Sequence, residues 1–117
     1  NLVEKEIWLT KKFVYPNEYE SIQEGDVYFD GTENIFEIID LELTDTYSTY
    51  SEQGNNYPVE TQYPKNVLIK AKIKVQEMAG TNIFAVEKIV KIGKPLDIST
   101  HIFSFGGYIV SRINEIK

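Results

Sequence analysis

The sequence predicts an all-β fold, a small pseudo-symmetric barrel of about six to eight strands. Three observations point there. Apolar residues recur with period two along most of the chain, helical periodicity is nearly absent, and Gly, Pro and Asn turn signals cut the chain into short runs. At 117 residues, 42% of them hydrophobic, the chain is long enough to bury a core without disulfides, so 1–117 reads as a single domain.

The elements follow in order. Ile7, Leu9, Phe13 and Tyr15 share one parity, interrupted by Lys11, with Glu6, Thr10 and Lys12 on the other. This predicts a half-buried strand with Trp8 opposite its main face. Proline followed by acids over residues 16–22 predicts a short helical turn, because proline presets a helical φ and carboxylates suit a helix N-terminus. A turn at Gly25-Asp26 leads to a brief strand at Val27–Asp30, and Asp30-Gly31 predicts a tight hairpin. Residues 35–46 predict a long strand with Ile39, Leu41 and Leu43 inward and Asp40, Glu42 and Thr44 outward.

Residues 47–65 are rich in Tyr, Ser, Thr, Asn and Gln and are interrupted by Gly54, Pro58 and Pro64, which predicts a long loop. The cleanest strand comes next: Val67, Ile69, Ala71, Ile73 and Val75 alternate with Leu68, Lys70, Lys72, Lys74 and Gln76. Paired antiparallel with 35–46, it would set Asp40 and Glu42 opposite Lys70, Lys72 and Lys74. A turn at 78–82, a strand over 83–92, a strand at 96–100, a bend at Gly106-Gly107 and a strand around 108–113 complete the chain.

The net charge of −6 argues against nucleic acid, whose phosphates require a basic face. Residues 1–60 hold 14 of the 18 acids and 3 of the 12 bases, a balance of −11, while residues 61–117 carry +5. The two halves therefore pair within one fold, or acidic and basic faces meet in head-to-tail self-association. Zero cysteines exclude thiol chemistry and thiolate zinc sites. No apolar run is long enough for a membrane helix. The chain begins at Asn1 rather than Met, which suggests that it is trimmed from a longer sequence.

Two segments 68 residues apart resemble each other. Ile22-Gln23-Glu24-Gly25-Asp26-Val27 precedes the strand Phe36–Leu41, and Val90-Lys91-Ile92-Gly93-Lys94-Pro95-Leu96 precedes the strand Tyr108–Ile113. Glycine suits a turn of positive φ, and Asp26 can bond neighbouring backbone N–H groups as Lys94 cannot. The Gly-Asp turn is similar to the "GD box" of cradle-loop barrels. The order of Gly25-Asp26, Phe36–Leu41, Ile92-Gly93, Thr100-His101-Ile102-Phe103 and Gly107-Tyr108-Ile109 also resembles a bacterial family, domain of unknown function family 4330, with Phe36 where that pattern has glycine. The resemblance implies an extracytoplasmic domain held to the cell membrane by an N-terminal helix. It implies no known activity.

The chemistry-bearing residues are few. His101 is the sole histidine and has no evident triad partners. Glu24, Asp26, Asp30 and Glu33 cluster near the first turn but lack the Asp-x-Asp-x-Asp-Gly spacing of a calcium loop. No phosphate loop is present, and nothing singles out a pair of carboxylates. Lys70, Lys72 and Lys74 read as a solvated strand face. No catalytic residue, metal or cofactor is therefore expected. The expected role is a binding or assembly module, not an enzyme, engaging a protein partner or another copy. Its recognition residues would be Tyr47, Tyr50, Tyr57 and Tyr63 in the 47–65 loop, and Gly25, Asp26, Gly93 and Gly107 are read as structural turns. The alternative is a ligand-binding or enzymatic groove between the barrel halves, using Asp26 or His101.

Overall fold

The computed structural model describes residues 1–99 and 104–116, with the backbone alone at 48–52, 57, 59–62 and 105. The described chain runs β1 (Leu2–Val14), α1 (Pro16–Tyr19), β2 (Val27–Phe29), β3 (Asn34–Glu52), β4 (Asn55–Met78), β5 (Thr81–Phe84), β6 (Lys88–Val90), β7 (Ile98–Ser99), β8 (Ser104–Phe105) and β9 (Ile109–Glu115). The fold is all-β, and among the described residues the only helix is the four-residue turn opened by Pro16. Seven strands form one antiparallel sheet along the path β2-β3-β4-β1-β9, with β5 attached to β4 and β6 to β5, while β7 and β8 pair separately.

The sheet is open. No pairing joins β2 to β9, so the closed barrel expected from the turn spacing is not formed. Closure needs each strand to keep two neighbours along a shared length. Here β2 is three residues long, and the 24-residue β4 is shared unevenly between β1, β3 and β5.

The core follows the alternation of β4. Val67, Ile69, Ala71, Ile73 and Val75 are all buried. They pack with Ile7 and Leu9 of β1, Phe36 and Ile38 of β3, and Val110 of β9. Phe84 closes one end, edge-on to Phe36 at 6.5 Å between ring centroids. The expected neighbours pair as read, with Phe36 opposite Ile73 and Asp40 opposite Lys70. The charge partners differ, however. Glu42 faces Leu68, while Lys70, Lys72 and Lys74 lie 3.6, 3.8 and 2.6 Å from Glu6, Glu4 and Glu33.

Bulges overturn several expected facings. An extra residue in β3 at Ile39, between the pairs Ile38–Ala71 and Asp40–Lys70, reverses the parity. Phe36 and Ile38 therefore point inward and Ile39 is exposed, while beyond the bulge Leu41 packs against the core as expected and Leu43, opposite Val67, is exposed. β1 is likewise irregular between Lys11 and Val14, where Phe13 adopts φ +54°. Val14 is buried in consequence, and Phe13 and Tyr15 turn outward. The strand expected over 83–92 is instead the hairpin β5–β6, reversing through Ala85-Val86-Glu87.

The largest correction concerns residues 47–65, which are not a loop. β3 and β4 continue past the core as a two-stranded arm, paired from Thr46–Thr61 to Glu52–Asn55. Its tip, Gln53-Gly54, has φ of +51° and +80°, the left-handed pair of a type I′ turn. Pro58 is accommodated because the arm's strands have no third neighbour, so a missing N–H leaves no ladder bond unmade. The molecule is correspondingly long, 61 × 30 × 25 Å.

Candidate functional site: a tyrosine-bearing arm and a basic groove

The arm is fastened at its base by polar contacts. Thr46, fully buried, donates from Oγ1 to the Pro64 carbonyl at 2.8 Å, and Lys65 pairs with Asp45. Tyr19 Oη donates to the Tyr63 carbonyl at 3.3 Å, tying α1 to the same point. Residues 62–64 are looped out of the ladder, since Thr46 pairs with Thr61 and the preceding Asp45 with Lys65. An isolated hairpin is marginally stable in water, so these anchors are what continue the core's order into the arm.

The four predicted tyrosines all lie on this ribbon. Tyr47 and Tyr63 are more than half exposed near its base. Tyr50 and Tyr57 are directly paired across the two strands, though their side chains lie outside the described atoms. Between Thr46 and Pro64 the arm carries Glu52 and Glu60 and no base. Its outer backbone edges pair with nothing among the described residues, which is the geometry that accepts another strand.

The predicted turn residues stand away from the arm. Gly25 and Gly93 share a φ of +88° and three backbone hydrogen bonds. Each glycine N–H donates to a strand carbonyl, of Ile38 or Val110, at 2.8 Å, and the same strand residue's N–H returns to the carbonyl of Asp26 or Lys94 at 2.9 Å. The Asp26 and Lys94 N–H groups reach back to Gln23 and Lys91 at 3.2 and 3.1 Å. Asp26 is buried and Lys94 exposed, in keeping with their chemistry. Gly107 adopts φ +78°, a backbone conformation that favours glycine, and a Cβ there would make only ordinary contact with Lys11. Asp30 locks the β2–β3 turn by accepting the Glu33 and Thr32 amides on Oδ1, both at 2.8 Å. These bonds hold its carboxyl below the usual carboxylate range.

Two polar clusters escaped the sequence reading. Tyr108, fully buried, donates to Glu18 Oε2 at 2.7 Å, while Lys11 Nζ sits 2.9 Å from the same oxygen and 5.3 Å from the Tyr108 ring centre. Lys11 interrupting an apolar parity was the one available signal. The second is Lys5, buried on the inward parity of β1 and bonded to Glu115 at 2.6 Å and Glu77 at 3.4 Å. The Glu115 contact raises its pKa against the opposing effect of burial.

A concavity lies at the other end of β4. Gly80, Thr81, Asn82, Ile89, Val90, Lys91, Lys94 and Pro95 line a half-open groove of roughly 860 Å³. Lys88, Ile89, Pro95, Leu96 and Asp97 line its continuation, so the groove runs between β6 and residues 94–97. β6 pairs only with β5, which leaves its groove-side edge without a strand among the described residues.

His101, with Thr100, Ile102 and Phe103, lies outside the described residues. Among the described residues no three His, Cys, Asp or Glu side chains converge as a metal ion would require, and Glu24, Asp26, Asp30 and Glu33 form no such group. No described helix is long and apolar enough to cross a membrane. Compared with family models, curated proteins and solved structures, the chain finds no match.

Proposed function

We propose that this domain is a non-enzymatic binding or assembly module whose working element is the β3–β4 arm. One observation carries the reading: about a third of each long strand runs beyond the body of the sheet as a ribbon that presents Tyr47 and Tyr63 to solvent and leaves two strand edges unpaired among the described residues. Tyrosine gives rigid, amphipathic contact area at low entropic cost, and open edges supply backbone hydrogen bonds to a partner. In this reading, which draws on the resemblance to domain of unknown function family 4330, the module would be held outside the bacterial cell membrane by an N-terminal helix. On this view the arm reaches away from the anchored body toward a protein partner.

The two glycine turns support a further part of the proposal, that the domain arose from a duplicated unit curled toward a pseudo-symmetric half-barrel. Their shared hydrogen bonds are its basis. The test of function is capture from native membranes. Immobilised intact domain is compared with a form in which residues 47–60 are replaced by Asn-Gly, a two-residue turn that joins Thr46 to Thr61. The intact arm should retain proteins that the shortened form loses. Identical capture by the two would sink the proposal.

A further inference from the structure

We infer that the arm of one copy docks in the groove between β6 and residues 94–97 of the next, building a head-to-tail assembly. This rests on the arm being a binding element and names its partner as a second copy of the chain. Three observations converge on it.

The arm and the groove occupy opposite ends of β4. The arm's second strand starts that element at Asn55, and the groove's first wall, Gly80–Asn82, follows directly on its end at Met78. A ribbon held by the core at Thr46 and Pro64 is thus directed away from its own groove and toward another molecule's. The contact joins two different surfaces, so it is heterologous and propagates rather than closing as a two-fold dimer would.

The charges are complementary. The arm between Thr46 and Pro64 carries Glu52 and Glu60 and no base, and the groove walls carry Lys88, Lys91 and Lys94 against one acid, Asp97. The unequal division of charge along the chain is then expressed at two poles, and opposite poles steer copies into register.

The groove also suits an extended, aromatic segment. Its wall includes the unpaired edge of β6, and its apolar surface comes from Ile89, which is 57% exposed, with Val90 and Pro95. A strand entering there finds backbone partners on β6 and an apolar floor for alternate side chains, while its acids meet the lysines. That is strand addition.

Sedimentation velocity of the purified domain at low salt tests this. The intact chain should associate with rising concentration. Both the arm-shortened form and the exposed double variant Lys91→Glu/Lys94→Glu should associate about tenfold or more weakly. Mixing that variant with Glu52→Lys/Glu60→Lys should restore association, which a merely misfolded variant would not do. Because the chain has no cysteine, Asn56→Cys mixed with Thr81→Cys should also give an intermolecular disulfide that Asn56→Cys mixed with Glu20→Cys does not.

An intact chain that stays monomeric at every concentration overturns the inference, as does association that survives reversal of the groove charge. If membrane capture still depends on the arm in those cases, the arm binds a different protein and its proposed function stands. Capture that ignores the arm removes the function itself.

Discussion

Tyr108 is the residue where burial and hydrogen bonding act most strongly together. Its ring is fully buried and its hydroxyl is committed to Glu18. Burial first, and then the hydrogen bond to Glu18 and that group's negative charge, push its pKa far above the ordinary value of 10.0. The folded chain therefore keeps a proton that the unfolded chain releases above about pH 10. Stability from this group is complete below that value and falls as the pH rises beyond it. Lys74, raised chiefly by its hydrogen bond to Glu33, and Lys5, raised chiefly by Glu115, act in the same direction. Tyr108→Phe should cost about 1 kcal/mol at neutral pH, because Lys11 still satisfies Glu18 when the hydroxyl is gone. It should also flatten the alkaline loss. Urea titrations of both proteins between pH 7 and 11 measure this, and equal alkaline slopes would contradict the assignment.

Among the elements, the paired glycine turns give the sharpest expectation. A Cβ at Gly25 or Gly93 would meet nothing within 4 Å, so alanine there is opposed by backbone conformation and not by crowding. Holding a non-glycine residue at φ +88° costs about 1–2 kcal/mol. Gly25→Ala and Gly93→Ala should therefore destabilise by similar amounts in chemical denaturation. Two clearly unequal losses would mean that the matching hydrogen bonds conceal different surroundings.

How much of each element was legible follows from what its side chains alone encode. β4 was legible because its five inward residues sit at uninterrupted period two and all become core. β1 and β3 were legible as strands but not in their facings, because a bulge adds a backbone residue without leaving a compositional mark. The arm was illegible for another reason. Its polar composition and its prolines read as a loop, and its strands are specified mainly by the Gln53-Gly54 turn and the anchors at Thr46 and Tyr19. Its tyrosines were singled out as a group, but as parts of a loop and not of paired strands. The Lys91–Lys94 groove went unseen because it exists only where β6 and residues 94–97 come together.

At the scale of the whole molecule, the arm separates shape from stability. A compact chain of this length has a radius of gyration of about 13 Å, whereas the Cα atoms here give 16.6 Å. The excess lies in the arm, which extends beyond the body of the sheet. Among the described residues Thr46 is the last buried one of β3, and the apolar core of β4 resumes at Val67. Replacing 47–60 by Asn-Gly keeps Thr46, Pro64, Asp45 and Lys65, and so retains every described contact at the arm's base except those involving Tyr47. The shortened protein should unfold cooperatively with stability within about 1 kcal/mol of the intact chain, since surface residues outside the core contribute little each. Its radius of gyration by small-angle scattering should fall to about 13 Å. A large loss of stability would show that the ribbon is part of the folding unit. An unchanged radius would show that the arm packs against the body in solution, leaving its tyrosines and open strand edges no partner to reach.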